Sequence, residues 1–295
     1  MSGLIEGLVI RAYNSYYYVQ TAVQSELITC KLRGKFKKGR FALTVGDRVK
    51  ILLDGENNAS IEEILPRHNS LLRPVVANVE QVLLVFAMRD PDYSFTLIDK
   101  MLALYAKAKV RVVLCFNKSE LEVAEQEQLK QLYGKIGYPV LFVSAREKLG
   151  LQKLKECLQD KITVLAGPSG VGKSSILNAI QEGLKLNTGE LSKISRGKHT
   201  TRYSELLKLD FGGYIADTPG FSSVDNELFK GDNLTELFED IRQVAKGCKF
   251  SSCKHDQEPN CAVKQAVATG EISSSRYQTY LTIYQELKAL RDNFK

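Results

Sequence analysis

A glycine-rich segment, GPSGVGKS, occupies positions 167–174 of this chain of 295 residues. It matches the pattern G-x-x-x-x-G-K-[ST], in which backbone N–H groups bind phosphate oxygens at the N-terminus of a helix. A β-rich apolar run, KITVLAG, leads into the loop, and a helical segment, SSILNAI, follows it. This context predicts a nucleoside-phosphate site. The predicted contact residues are Gly167, Pro168, Ser169, Gly170, Val171, Gly172, Lys173, Ser174 and Ser175.

A second phosphate and magnesium element is predicted at DTPG, positions 217–220. Asp217 ends the apolar run YIAD and is suited to hold the magnesium shell, and the N–H group of Gly220 is suited to sense a γ-phosphate. We expect Lys173 to bridge the β- and γ-phosphates and the Ser174 hydroxyl to bind Mg²⁺. DTPG alone also fits a simple turn, so its weight comes from its place downstream of the phosphate loop.

Two base-reading motifs lie upstream of the phosphate loop, although in most GTPases they follow it. NKSE comprises Asn117, Lys118, Ser119 and Glu120, and SAR begins with Ser144 and Ala145. Each motif follows an apolar run, where base-binding loops lie at the carboxyl edge of a sheet. Asn117 and Lys118 would flank a guanine, and Glu120 would accept from its N1–H and 2-amino groups. The motif order predicts a circularly permuted GTPase, and Glu120 in place of the usual Asp leaves nucleotide selectivity open.

The segment between the phosphate loop and DTPG, GLKLNTGELSKISRGKHTTRY, is rich in Gly, Ser, Thr and Lys and has little apolar periodicity. This composition favours a switch loop. Either Thr200 or Thr201 is the candidate second magnesium ligand. Phe221 stands where many GTPases place a water-orienting glutamine, so another group must act. His199 is the nearest candidate, and a solvent-exposed loop histidine is the alternative.

A cysteine-rich cluster with the form C-x4-C-x-H-x5-C lies near the C-terminus. Three thiolates and one imidazole within 14 residues suit one tetrahedral, structural zinc ion per chain, since four protein ligands leave no open position. The alternative is a chance grouping of cysteines near a histidine. The predicted ligands are Cys248, Cys253, His255 and Cys261.

The N-terminal 66 residues read as a small barrel. Five short β-rich runs separated by turn signals such as Asn14-Ser15 predict an oligonucleotide/oligosaccharide-binding (OB) fold. The stretch from Lys31 to Arg40 holds six cations and no acid, which suits an RNA or DNA partner, with a solvated loop as the alternative. Rings that could stack on bases are those of Tyr13, Tyr16, Tyr17, Tyr18 and Phe36.

Beyond the barrel, apolar strands alternate with helices, which predicts a parallel sheet covered on both faces. A hairpin is expected to turn at Gly212-Gly213. Predicted helices include Ser94 to Ala108, Leu121 to Ile136, Gly150 to Gln159, Leu234 to Ala245, Ala262 to Ala268 and Ser274 to Arg291. The predicted fold is multidomain: an N-terminal β-barrel of the OB-fold type (1–66), a central circularly permuted α/β P-loop GTPase domain with the order G4-G5-G1-G2-G3 (67–222), and a C-terminal α-helical zinc-binding domain (223–295).

The composition of the chain restricts its expected cellular location and the kinds of partner it is expected to bind. Apolar runs such as VLLVFAM are too short to span a bilayer, and the start MSGLIEGLVI lacks a basic leader before a long apolar stretch. We therefore expect a cytoplasmic protein with no membrane partner. The net charge of +7 is uneven, since Lys and Arg exceed Asp and Glu by four among residues 1–74, whereas residues 222–295 carry −1. The positive charge thus favours a nucleic-acid partner for the N-terminal part.

NKSE, SAR, GPSGVGKS, GKHTTR and DTPGF in that order, followed by the Cys/His cluster, resemble the RsgA (YjeQ) family of bacterial GTPases. The resemblance covers essentially the whole chain. It implies weak intrinsic hydrolysis of GTP to GDP and phosphate, strong stimulation by the small ribosomal subunit, and a role in late maturation of that subunit. It also implies rRNA contacts from the barrel and the zinc domain, Mg²⁺ bound with GTP, and a hydrolysis-promoting role for His199. We expect the protein to be a monomer.

Two other functions remain open at this point. The first is a nucleotide-gated RNA-binding module in which hydrolysis is incidental, and the second is a metabolic P-loop kinase. NKSE together with SAR argues against the kinase. Because the chain passes from DTPG and Phe221 into the zinc-domain region within a few residues, we also hypothesise that γ-phosphate loss at Gly220 changes the orientation of that domain.

Overall fold

The structure, a computed structural model, describes residues 3–33, 43–54, 57–72, 75–184, 205–217 and 224–292. Two compact units are present. One comprises Met1–Leu83, Gly150–Ala166 and Lys173–Gly220, and the other comprises Leu84–Leu149, Gly167–Gly172 and Phe221–Lys295. Within the described ranges, no helix is both long and apolar enough to cross a membrane.

The predicted N-terminal barrel is confirmed. Its strands form a closed barrel in the order β1-β2-β3-β5-β4, in which β3 pairs with β5 in parallel and the other pairs are antiparallel. Alternating residues, among them Val9, Val19 and Ile61, are buried in its core. The strands are β1 (Ile5–Tyr13), β2 (Tyr16–Thr21), β3 (Ile28–Leu32), β4 (Arg48–Leu53) and β5 (Asn58–Ile64).

The basic stretch begins in the third strand of the barrel. Lys31 lies in β3, and its ammonium group is 5.1 Å from the centre of the exposed Tyr16 ring on β2. Arg33 follows the strand and pairs with Glu62 at 2.7 Å. Positions 34–40, and Phe36 with them, lie outside the described residues. An exposed ring and a cation therefore lie side by side on the paired strands β2 and β3.

A six-stranded sheet has the order β10-β9-β8-β11-β13-β12. The β9–β10 and β11–β13 pairs are parallel, and β12 and β13 form the predicted antiparallel hairpin. Gly213 in that turn has φ +89°, and a Cβ there would lie 2.7 Å from the carbonyl oxygen of Leu158. The strands are β8 (Gln81–Ala87), β9 (Arg111–Asn117), β10 (Val140–Phe142), β11 (Ile162–Ala166), β12 (Leu206–Lys208) and β13 (Tyr214–Asp217).

Two of the helices that accompany the sheet begin where the sequence predicted, each at a recognisable capping residue. Ser94 accepts a hydrogen bond from the Leu97 N–H group and caps the first helix, which ends at Lys107 with Ala108 as its C-cap, close to the predicted end. Gly150, with φ +69°, precedes the third helix. These helices are α1 (Phe95–Lys107), α2 (Gln126–Gly134), α3 (Leu151–Leu158) and α4 (Lys173–Ile180).

Three details differ from the sequence-based expectation. The helix predicted from Leu121 to Ile136 is shorter, because Ser119–Leu121 forms a 3-10 turn and Glu122 is extended before α2 begins. The helix predicted from Leu234 to Ala245 is interrupted at Phe238, whose backbone is extended and whose buried ring packs edge-on against Tyr280. A short hairpin of β6 (Ser70–Leu72) and β7 (Val75–Ala77) was not predicted.

The C-terminal part contains the helices α5 (Glu239–Ala245), α6 (Ala262–Ala268) and α7 (Ser274–Asp292), of which the last two agree with the predicted helical stretches. A buried ion cluster connects α7 to both α5 and α1. The Arg276 side chain, 2% exposed, donates from Nε to Asp240 Oδ2 at 2.8 Å and from Nη1 to Asp99 Oδ1 at 2.8 Å. Its guanidinium carbon lies 4.9 Å from the centre of the Phe238 ring.

The guanidinium of Arg276 balances the negative charge of both Asp99 and Asp240 in this cluster. Burial raises the pKa of Asp99 to about 6, although the charge of Arg276 opposes the shift. For Arg276 itself, burial lowers the pKa, but the charges of Asp99 and Asp240 outweigh that effect and raise it. The guanidinium therefore stays charged, and its loss would leave two carboxylates buried without a counter-ion.

We expect Arg276→Met to lower the free energy of unfolding by about 3–5 kcal/mol, because removing one partner of a buried ion pair leaves an uncompensated charge. Thermal and denaturant unfolding would measure the loss. The matched control is Arg242→Met, which breaks a half-exposed pair with Glu239 in α5 and should leave the melting temperature nearly unchanged. Equal small shifts in both variants would contradict the structural role assigned to the buried cluster.

Candidate nucleotide and metal sites

The phosphate loop begins where β11 ends and leads directly into α4. Gly167, its first residue, has φ +138°, and a Cβ there would lie only 2.0 Å from the carbonyl oxygen of Val85 on β8. A side chain at this position would thus collide with the neighbouring strand. Ser169 and Gly170 are exposed, and Ser174 and Ser175 are exposed in the first turn of the helix. The loop therefore presents its tip to solvent while its base is fixed against the sheet.

The buried amide of Asn117 joins three of the predicted nucleotide motifs: NKSE, SAR and the phosphate loop. Asn117, 2% exposed, ends β9, and its Nδ2 donates to the carbonyl oxygen of Val171 in the phosphate loop at 2.9 Å. Its Oδ1 accepts from the Ala145 N–H group at 3.2 Å. The side chain predicted to flank the base is therefore also the link that holds these loops together.

Backbone contacts fix the loop of the SAR motif beside NKSE. Ser144 is fully buried, and its hydroxyl accepts from the Glu147 N–H group at 2.9 Å. Reciprocal backbone bonds of 3.1 Å join Ser144 to Leu149. The Ser119 N–H group donates to the Val143 carbonyl oxygen at 3.1 Å. Ser119, Ser144 and Ala145 thus lie together at the carboxyl ends of β9 and β10, as the sequence predicted.

The segment Met88–Ser94, after β8, also belongs to this edge of the sheet. Lys118 has left-handed backbone geometry, with φ +56°, and its ammonium group donates to the carbonyl oxygen of Asp90. A Cβ built on Gly170 would lie 3.6 Å from Pro91 Cδ, so the phosphate loop approaches the same segment. Sequence reasoning missed this segment, since it carries no known motif. Its only signal was its place after an apolar strand.

Glu120 has a carboxylate oxygen, Oε2, that is available to accept a hydrogen bond from a base. The residue is half-buried, and its Oε2 atom is buried without a hydrogen-bond partner among the residues that the structure describes. A buried carboxylate oxygen without a donor is costly, so a ligand N–H group would stabilise it. The longer side chain is therefore compatible with an acceptor for guanine.

The predicted switch residues and most of DTPG fall outside the part of the chain that the structure describes. His199, Thr200, Thr201, Gly220 and Phe221 lie outside the described residues, and so does the side chain of Asp217. The backbone of Asp217 ends β13 and is in register with Leu165 on β11. The DTPG segment therefore starts from the strand next to the one that carries the phosphate loop.

The Cys/His motif forms a compact cluster in the C-terminal part. One ligand atom from each of Cys248, Cys253, His255 and Cys261 lies within 4.8 Å of the others. The Cys248 and Cys261 sulfurs are 3.8 Å apart, and His255 Nδ1 is 3.6 Å and 3.5 Å from them. Sulfur and nitrogen donors at this spacing fit a tetrahedral metal ion.

Neighbouring side chains orient the His255 ring within this cluster. Its Nε2 lies 3.3 Å from the Thr235 hydroxyl, so Nδ1 is the nitrogen that faces the sulfurs. Tyr277 donates to the His255 carbonyl oxygen at 2.6 Å. Burial lowers the pKa of His255 and favours the neutral imidazole that metal binding needs. Such outer contacts fix ring orientation in metal sites.

We expect Gly167→Ala to weaken GDP binding by about tenfold or more, since the added Cβ must displace the loop from Val85. Fluorescent-nucleotide titration would measure this. Gly137→Ala is the control, because Gly137 also has positive φ, +90°, but a Cβ there would contact nothing within 4 Å. Unchanged affinity in Gly167→Ala, or equal losses in both variants, would contradict a loop whose geometry depends on this close approach.

Comparison with known proteins places these features in one family. The RsgA GTPase family matches residues 64–227, and the RsgA N-terminal domain matches residues 6–61. The small ribosomal subunit biogenesis GTPase RsgA of Carboxydothermus hydrogenoformans is 47% identical over 96% of this chain and 98% of its own length. The corresponding protein of Caldanaerobacter subterraneus subsp. tengcongensis is 45% identical over 96% of each chain.

Two solved structures share the architecture. YjeQ from Thermotoga maritima has a TM-score of 0.83 at 39% identity, covering 97% of this chain and 99% of its own. YloQ, described as a circularly permuted GTPase, has a TM-score of 0.80 at 35% identity, covering 97% and 96%. Together with the nucleotide motifs gathered at one edge of the sheet, these matches show that the chain belongs to the RsgA GTPase family.

Proposed function

We propose that this GTP hydrolase acts on the small ribosomal subunit during its late maturation, and that the subunit stimulates hydrolysis of GTP to GDP and phosphate. The observation that carries the proposal is the Asn117 amide, which joins the phosphate loop to both base-reading motifs. Relatives named as small ribosomal subunit biogenesis GTPases, which align over nearly their full length, support the partner.

The chain's own residues supply most of the chemistry in this proposal. Backbone N–H groups of residues 167–175 bind the phosphate oxygens, and Lys173 neutralises charge at the β- and γ-phosphates. Glu120 accepts hydrogen bonds from the N1–H and 2-amino groups of the guanine. The Lys118 side chain flanks the base, and the Ser144-Ala145 backbone contacts it as well. Mg²⁺, when bound, neutralises charge on the phosphates, and its ligands would be Ser174, Asp217 and Thr201, with Thr200 as the other candidate. His199 hydrogen-bonds the attacking water.

RNA binding is assigned to the barrel and to the metal-containing part of the chain. The exposed rings of Tyr13 and Tyr16, with Lys31 beside Tyr16, combine a stacking surface with positive charge. We propose domain boundaries at 66/67 and 222/223, a monomeric protein, and a cytoplasmic location where ribosomal subunits mature.

We propose that the Cys/His cluster holds one zinc ion with a structural role. Three sulfurs and one imidazole nitrogen are the donor set that zinc prefers, and they fill a tetrahedral shell without an open position. The polar segment from Phe250 to Asn260 has few apolar side chains, so a bound ion would supply the order that packing does not.

A nucleotide-gated RNA-binding module with incidental hydrolysis is the second candidate. Phe221 replaces the water-orienting glutamine of many GTPases, which is the feature that favours it. The two functions differ in how strongly the subunit accelerates hydrolysis.

We expect small subunits to raise the GTP hydrolysis rate by about a hundredfold or more, and His199→Ala to remove most of that gain, as for loss of a positioned acid–base group. Phosphate release would be measured with GTP, ATP and XTP, with and without subunits. His68→Ala, an exposed histidine in another part of the chain, should behave as wild type. A rise of only a few-fold with wild type would favour the binding module.

The metal assignment predicts about one zinc per purified chain. Cys261→Ser should lose the metal and lower the melting temperature, because the imidazole and the remaining sulfurs no longer complete the shell. Elemental analysis and thermal unfolding, with and without chelator, would test this. Cys157→Ser is the matched control, since Cys157 lies outside the cluster. Full stability of metal-free protein would contradict the structural role.

A further inference from the structure

We propose that Arg89 is a positioning residue for guanine recognition: it holds the loop that carries Glu120 through an ion-pair cluster outside the nucleotide motifs. The inference rests on the proposed role of Glu120 as the acceptor for the guanine N1–H and 2-amino groups. It adds a specificity determinant that no motif in the sequence marks.

Arg89 contacts both acidic residues in the stretch between Glu120 and helix α2. Its Nη2 donates to Glu125 Oε1 at 2.8 Å and to Glu122 Oε2 at 3.1 Å. Its Nη1 donates to the Met88 carbonyl oxygen at 2.9 Å, which fixes the guanidinium relative to the end of β8. These bonds lower the pKa of Glu125, so the pair is fully charged near neutral pH.

Tyr93 holds the same carboxylate from the other side. Its hydroxyl donates to Glu125 Oε2 at 2.6 Å. Its ring packs edge-on against Phe116, at 5.6 Å between centroids, and Phe116 directly precedes Asn117 on β9. Glu125 also occupies the N-cap position of α2, and its carboxylate bonds Arg89 and Tyr93 rather than the first turn of the helix. The cluster therefore connects the start of α2 to the strand that carries the NKSE motif.

The chain between Glu120 and Glu125 needs such support, because it is not part of a regular helix. Ser119–Leu121 is a single 3-10 turn, and Glu122 has extended backbone geometry, with φ −153° and ψ 96°. On the motif's other side, Lys118 is held by the Asp90 carbonyl oxygen. Residues of the segment Met88–Ser94 therefore bond the base-reading loop on both sides of Glu120, at Lys118 before it and at Glu122 and Glu125 after it.

Because the Arg89 side chain is partly exposed, its effect on nucleotide recognition can be distinguished from an effect on folding stability. Its side chain is 35% exposed, and ion pairs at such sites contribute little to global stability. Arg242 offers a matched comparison, since it is also 35% exposed and makes a two-point pair with Glu239 far along the chain in α5. Loss of either pair should leave the fold intact, whereas only loss of the Arg89 pair should alter nucleotide recognition.

The test compares affinity for GTP and for ITP, which lacks the 2-amino group, in the full chain with Mg²⁺. The variants are Arg89→Met, Arg89→Lys, Tyr93→Phe, Glu120→Gln and Arg242→Met. We expect Arg89→Met to weaken GTP binding by about tenfold, as for a lost charge-assisted contact, while ITP binding falls less, so the GTP:ITP affinity ratio drops. Arg89→Lys should restore part of the ratio, and Tyr93→Phe should lower it slightly.

The control variant and wild type show which of the two roles, that of Arg89 or that of Glu120, a negative result contradicts. Arg242→Met should match wild type in ratio and in melting temperature. An Arg89→Met variant that keeps the wild-type GTP:ITP ratio, or loses affinity for both nucleotides equally, overturns the positioning role. If wild type itself shows no preference for GTP over ITP and Glu120→Gln changes nothing, the base-reading role of Glu120 in the proposed function fails instead.

Discussion

The buried side-chain amide of Asn117 is the contact on which the nucleotide site depends. An amide can donate and accept at once, and here it does both, to the Val171 carbonyl oxygen and from the Ala145 N–H group. Three loops that are far apart in the chain are thereby fixed at the carboxyl edge of one sheet. Permutation of the chain does not disturb this arrangement, because it changes only the order in which the strands are connected.

Outside the nucleotide site, polar contacts hold the C-terminal part together. Arg276 bonds Asp240 on α5 and Asp99 on α1, so a C-terminal helix is fixed to a helix of the permuted domain. Three of the six cysteines and His255 converge in the same part of the chain. The hypothesis that γ-phosphate loss reorients this part stays a prediction, since Gly220 and Phe221 lie outside the described residues. The Arg276 cluster is a connection to α1 that does not involve them.

The sequence predicted elements well where the signal was local. The five barrel strands correspond to short β-rich runs between turn residues, and the helix predicted from Ser94 agrees with α1, which the Ser94 hydroxyl caps. It failed where a distant contact overrides local preference. Phe238 leaves the helical conformation to pack against Tyr280, and the helix expected from Leu121 starts only at Gln126. Such contacts join residues far apart in the chain, so no local pattern reveals them.

The sequence alone determined the ligand types and the motif order, because phosphate, guanine and metal recognition each require particular groups at fixed spacing. It therefore identified the phosphate loop, NKSE and the Cys/His cluster. Tertiary structure decided how those groups are supported. The link through Asn117, the Arg89 contacts and the buried Arg276 cluster join side chains from separate elements. Their partners are chosen by packing and burial, which act between residues that lie far apart in the chain.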